Sequence, residues 1–427
     1  MRRPFVILAA VTICVPLIIA QSRPQPASLL IRSVTLIDGT GRAPQAGSNV
    51  LVRDGRIVSV GSVASAADVT IDGSGLFALP GLIDAHVHLS GGPRAETVAA
   101  LARVLRGGVT TVFDMAGDVR TTSDLSRAAF AGEIESPTIG YVSLFAGPAF
   151  FTDRRVVAAS LGYRPGDAPW NREITGETDL VRAVAEARGA GATTIKLYAA
   201  LDAETVRRIG VEAARQHVRL VAHATVFPAK PSDLIAAGVK MLAHAPYLVW
   251  EGMPASADFP KRARGEFAAV PADGPVMTAL LQSMKDHDVA LNPTLWIFAD
   301  GPAKDDLAAV RTPWMNAVTK RAQDLGVTIA AGVDDMVSDR DPLPLLHREL
   351  ETLVAGAKLT PLQAIVAATG GAAHAIGMDD VRGTVAAGHA ADLVLVDADP
   401  AADIRNTRRI RYVIKDGRIV RAEAGTR

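Results

Sequence analysis

Between residues 80 and 378 the chain alternates short apolar runs with stretches long enough for a helix, and no other feature constrains its fold as tightly. Strand-like runs fall at residues 79–89, 110–114, 138–143, 193–198, 219–223, 239–244, 289–295 and 327–334. Eight such strands, each followed by a helix, predict an α/β fold of the (β/α)8 TIM-barrel type, which takes roughly 250 residues. Helix signals agree with the pattern. Asp202 is placed to cap a helix running to about Gln216, and Thr360-Pro361-Leu362-Gln363 combines an N-cap, an N1 proline and a glutamine at the third position. Two connections are long. Residues 144–178 carry Phe145, Phe150, Phe151, Tyr163 and Trp170, and residues 246–274 follow the sixth strand. On the catalytic side of a barrel such loops serve as lids or pocket walls.

The 427 residues leave room for a second, smaller unit. Asp54-Gly55-Arg56-Ile57-Val58 near the start returns as Asp416-Gly417-Arg418-Ile419-Val420 near the end. Asp-Gly between apolar runs is a strong hairpin signal, because both residues tolerate positive φ. The expectation is one small discontinuous β-sandwich built from residues 29–75 and 383–424, with the barrel, residues 76–382, inserted between the halves. Residues 1–20 read differently. Arg2 and Arg3 precede an apolar run from Phe5 to Ala20, the pattern of a secretory signal peptide cleaved after Ala20, with a retained anchor as the competing reading. An exported, periplasmic or extracellular protein is expected, without stable membrane insertion once the signal is removed. Cys14, the only cysteine, lies inside that run, so the mature chain has neither disulfides nor thiolate ligands. Basic and acidic residues balance at 45 each, which argues against a nucleic-acid or polybasic membrane surface.

Barrel enzymes carry their chemistry at the C-terminal ends of the strands. There the first strand offers His86 and His88, two residues apart and so on one face. The fourth strand offers Lys196, the fifth His223, the sixth His244 and the eighth Asp334. Singly each has an ordinary explanation: a salt-bridging lysine, a helix-capping aspartate, a hydrogen-bonded histidine. Together, at the ends of five barrel strands, they are more than coincidence, and the four histidines among them are of the commonest metal-ligand type. Tyr198, two residues beyond Lys196, points toward the same mouth by strand alternation, where its hydroxyl could act on substrate; ordinary packing is the competing role.

The phrase Pro80-Gly81-Leu82-Ile83-Asp84-Ala85-His86-Val87-His88, followed by Lys196, His223, His244 and Asp334, resembles the binuclear branch of the amidohydrolase superfamily. The resemblance extends over residues 29–424, including Asn-Pro-Thr-Leu at 292–295 and the closing Gly383-Thr384-Val385 and Ala391-Asp392-Leu393-Val394 phrases. It implies two divalent metal ions, with zinc the expected metal. His86, His88 and Asp334 would hold the more buried ion, and His223 and His244 the more exposed one. Lys196 would bridge them as a carbamate formed with carbon dioxide. The implied chemistry is hydrolysis of a C–N amide bond by a hydroxide held between the metals, with Asp334 as general base and then acid, and Tyr198 as an oxyanion donor. Two departures stand out: Val333 where Thr or Ser usually precedes the aspartate, and a second aspartate at Asp335. Leu-His-Arg-Glu-Leu at 346–350 and Thr-Pro-Leu-Gln-Ala at 360–364 resemble the prolidase and imidazolonepropionase-like subgroup. That points to a small-molecule or short-peptide substrate: an acyl-amino acid, a dipeptide or a cyclic amide. Ester, lactone or phosphotriester hydrolysis on the same metals is the alternative, a non-catalytic binding barrel a second, and homo-oligomerisation stays open.

Overall fold

Residues 82–87 are buried on both faces of their strand, the pattern of a parallel strand with helices outside and a filled barrel inside. The computed structural model of the chain describes residues 28–62 and 65–422. The signal-peptide reading, its cleavage site and Cys14 fall outside the described residues. No helix among the described residues is long and apolar enough to cross a membrane.

Seven strands run parallel in sequence order around the barrel: Leu82–Val87, Val109–Asp114, Thr138–Ala146, Thr194–Leu197, Arg219–His223, Met241–Ala243 and Ala290–Asn292. The eighth run closes the ring without a regular ladder. On one side the Leu291 amide donates to Thr328 and the Ala330 amide to Leu291, both at 2.9 Å. On the other the Ala85 amide donates to Ala331 at 3.0 Å and the Asp334 amide to His86 at 2.9 Å. Gly332 is the reason the segment approaches so closely, since a Cβ there would stand 2.8 Å from His86 Cβ. Expected caps are present. Asp202 Oδ1 accepts the Thr205 amide at 2.7 Å ahead of helix Ala203–Arg215. Thr360 and Gln363 exchange hydrogen bonds at 2.9 and 3.2 Å at the start of Pro361–Ala367; such a cap is worth about 1 kcal/mol.

The terminal segments form one sheet in the order Arg418–Ala422, Ile410–Lys415, Leu393–Val396, Phe77–Pro80, Ser28–Leu36, Gln45–Arg53, Arg56–Gly61, with Val69–Asp72 parallel to the first half of Ser28–Leu36. The strand Phe77–Pro80, which a boundary at residue 76 would assign to the barrel, pairs here, between Thr35–Leu36 and residues 393–396. The two Asp-Gly turns meet. Ala391 accepts the Gly417 amide at 3.0 Å and donates its own to Gly55 at 2.8 Å, and a Cβ on Gly417 would lie 3.0 Å from Gly55 Cα. The sheet therefore bends until its ends touch, and the layers of the expected sandwich are parts of one sheet around Leu29, Ile31, Val52, Ile57, Leu393 and Ile414. A separate apolar cluster joins Val394, Val396 and Ile410 to barrel residues Leu82 and Val109, so the sheet is packed firmly against the barrel.

Candidate metal centre

The first barrel strand delivers His86, fully buried, and the turn after it delivers His88, whose side chain is half exposed. Both imidazoles reach one carboxylate: Asp334 Oδ1 lies 3.2 Å from His86 Nε2 and 3.0 Å from His88 Nε2. Potential ligand atoms of these three residues all lie within 4.8 Å of one another. His244 and His223 extend the cluster, with ring centroids 4.9 Å between His86 and His244 and 4.7 Å between His244 and His223. Lys196 is buried in the fourth strand, its Nζ 5.2 Å from the centre of the Tyr198 ring. The second aspartate is set apart: Asp335 accepts the Met336 amide at 2.7 Å. The barrel thus brings together every residue expected at the site from the sequence, and Asp334 rather than Asp335 faces the histidines.

Neighbours missed in the sequence hold these side chains in place. Asn292, the last residue of the seventh strand, donates from Nδ2 to the Ala330 carbonyl at 2.8 Å, which turns its Oδ1 toward His86 Nδ1, also at 2.8 Å. His86 Nδ1 must then carry the hydrogen, leaving a lone pair on Nε2. His88 Nδ1 likewise faces a carbonyl, that of Ala116, at 3.0 Å. In neutral rings, two nitrogen lone pairs therefore converge on one carboxylate oxygen, and His86 Nε2 is buried without a hydrogen bond. Acceptors facing an anion repel one another unless they share a cation, so the donor set fits a metal ion. His223 and His244 have hydroxyl partners, Thr225 Oγ1 and Thr294 Oγ1, each 2.8 Å from Nδ1. The backbone is bent to suit. His244, Thr294 and Asp334 all take left-handed conformations, with φ of 74°, 49° and 63°; each costs of order 1 kcal/mol or more and is kept by its surroundings. Asp84, buried under His86, accepts the His86 and Val333 amides at 3.1 and 3.2 Å and ties the first strand to the eighth. Asn292 ends a barrel strand as the histidines come at strand ends, and that position is the one signal it carries in the sequence.

Burial dominates the electrostatics. It lowers the Lys196 amine to about 8, against the opposing pull of Asp334 and Asp114. It lowers His86 to about 4, assisted by the Lys196 charge, and holds His223 and His244 well below the ordinary histidine range. These three rings are neutral at pH 7 and able to ligate. Burial would raise Asp334, but the imidazoles of His86, His88 and His244 around it outweigh that and hold the carboxylate well below its ordinary range.

Both long connections reach the mouth. From the first, Phe150 packs on Tyr198 with centroids 4.6 Å apart. From the second, Phe259 lies 5.4 Å from Tyr198 and 5.6 Å from His223, and Tyr247 stacks on His223 at 4.8 Å. Tyr163 and Trp170 instead pack on each other, 5.4 Å apart.

The amidohydrolase family model matches residues 77–420, which include all these side chains. The chain belongs to the amidohydrolase family. Its expected class, a hydrolase, follows from that membership. Among curated relatives, the enamidase of Eubacterium barkeri is 43% identical over 70 residues, covering 15% of this chain and 18% of that protein. The allantoinase of Solibacter usitatus is 36% identical over 117 residues, 25% of each chain. These matches span a quarter or less of the relatives' length. Whole-chain similarity appears among solved structures. The ochratoxinase of A. niger superposes with a TM-score of 0.71 at 22% identity, covering 93% of this chain and 96% of that one. A Xaa-Pro dipeptidase gives 0.71 at 20% identity, covering 92% and 99%. At such identities the likeness is one of fold.

Proposed function

We propose that this amidohydrolase cleaves the C–N bond of an acyl-amino acid, dipeptide or cyclic amide, using two divalent metal ions, with zinc the expected metal. His86, His88 and Asp334 would hold one ion, His223 and His244 the other, and a carbamate on Lys196 would bridge them. The observation that carries the reading is the convergence of the His86 and His88 Nε2 atoms on Asp334 Oδ1, at 3.2 and 3.0 Å. When bound, the ions would activate water at neutral pH and polarise the scissile carbonyl.

The chain's own residues supply the rest. Carbamate formation needs a neutral amine, and at pH 7 an amine titrating near 8 is about one-tenth neutral, where an ordinary lysine is almost wholly charged. The neutral Nζ adds to carbon dioxide and releases one proton, giving an anion with two oxygens; counted from the ammonium, two protons leave. Asp334, ionised beside the histidines, takes the proton of the attacking water and returns it to the departing amine. Tyr198 is raised by burial, so its hydroxyl remains a hydrogen-bond donor for the carbonyl oxygen. The relatives named enamidase and allantoinase, and the fold of the dipeptidase, support an amide substrate. The Arg2-Arg3 pair and the apolar run behind it support export, which N-terminal sequencing of the protein from the periplasm or medium tests. Product analysis with a library of dipeptides, acyl-amino acids and cyclic amides, set against aryl esters, lactones and phosphotriesters, tests the reaction class. Turnover confined to the oxygen esters contradicts it.

A further inference from the structure

Arg262 stands out among the cations around the mouth. In its own loop Lys261 pairs with Asp258 at 3.4 Å and Arg264 with Asp306 at 2.9 Å. Arg262 has no carboxylate within salt-bridge distance among the described residues. One Nη donates to the Phe259 carbonyl at 3.2 Å, while Nε is enclosed without an acceptor. The guanidinium lies 4.2 Å from the centre of the Phe259 ring, and that ring packs on Tyr198 and His223. Its charge also acts on Tyr198, His223 and Tyr247, favouring the ionised tyrosines and the neutral histidine.

A second guanidinium comes from the other long loop. Arg155 is held by Asp153 through bonds of 3.1 and 2.7 Å and lies beside the Tyr198 phenol. Asp153 also feels the charge of Arg262. Two arginines and one aspartate therefore flank the tyrosine, leaving one positive charge without a counter-ion next to the metal-ligand cluster. A guanidinium presents parallel donors that match a carboxylate.

We propose that Arg262, with Arg155 beside it, anchors a free carboxylate of the substrate, so that the bond cleaved belongs to an N-acyl amino acid or a dipeptide with an open C-terminus. This rests on the amide-hydrolase reading and narrows it: cyclic amides lacking a carboxylate become poor substrates.

The test compares N-acetyl amino acids and dipeptides with their C-terminal carboxamides, in the metal-loaded wild type, Arg262→Gln and Arg262→Lys. The wild type should prefer the free acids by ten-fold or more in kcat/KM. In Arg262→Gln that preference should collapse toward one, with the loss in KM rather than kcat, and Arg262→Lys should restore part of it. Calorimetric titration with N-methylsulfonyl amino acids, which keep the carboxylate but lack a scissile carbonyl, gives a second readout, with inorganic phosphate as the comparison anion. Equal losses on acid and carboxamide in Arg262→Gln, or unaltered acid binding, would overturn the anchor. If the wild type cleaves no amide yet binds these acids through Arg262, the anchor stands and the hydrolytic reading fails. Tighter binding of phosphate than of the acids would also overturn the carboxylate assignment.

Discussion

Asn292 Oδ1 accepts the Nδ1 hydrogen of His86 at 2.8 Å, and this single contact decides which nitrogen of the most buried of the expected ligand histidines faces the centre of the site. The seventh strand, which contributes none of the expected ligands, thereby sets the tautomer of an expected ligand on the first.

Replacing Asn292 with Ala removes the acceptor, leaves a buried Nδ1–H unpaired and frees the ring to change tautomer. Metal affinity should fall by about 10–100-fold, with a loss of about 1–3 kcal/mol in stability of the metal-free protein. Chelator-competition titration and denaturant unfolding measure the two effects. Unchanged metal affinity would separate Asn292 from the site.

Lys196 predicts a pH dependence in the metal-free, carbon-dioxide-free protein. Its amine titrates near 8 in the folded state, against 10.5 ordinarily. Between those values the unfolded chain binds the proton and the folded one does not, so stability rises with pH across the window. The gain is at most about 3 kcal/mol. Urea unfolding between pH 7.5 and 10.5 should show the rise in wild type and lose it in Lys196→Met. Parallel profiles for the two proteins would contradict the depressed amine.

Glu349 is fully buried and accepts the Leu295 and Trp296 amides at 2.9 and 2.7 Å, just after Thr294, the partner of His244. Glu349→Ala strands two buried N–H groups and should cost about 2–5 kcal/mol. Glu349→Gln keeps one acceptor and should cost less. Thermal unfolding ranks the variants, and metal content reports whether His244 moves with the turn. Equal stability in all three proteins would mean that the contact contributes nothing.

Much of this could be read before the structure. Chemistry-bearing residues at strand ends stand out against apolar runs, which is why His86, His88, Lys196, His223, His244 and Asp334 were legible. The supporting residues were not, because an asparagine or threonine beside a strand end is ordinary until a ring nitrogen is seen 2.8 Å away. The eighth strand was visible as an apolar run, but its irregular pairing with the first and seventh strands shows only in space. No basic residue of the long loops drew attention in the sequence, since an unpaired arginine is defined by its neighbours in space. The strand Phe77–Pro80 was assigned to the barrel because only pairing reveals which sheet it joins.

The central claim, a two-metal site bridged through Lys196, is tested most directly by metal content. Wild-type protein and Lys196→Met, each loaded with zinc in the presence of bicarbonate and freed of excess ion, are analysed by plasma emission spectroscopy. The account predicts two equivalents per chain in the wild type, falling to one or fewer in the variant. One equivalent or none in the wild type, or two retained in Lys196→Met, would contradict it.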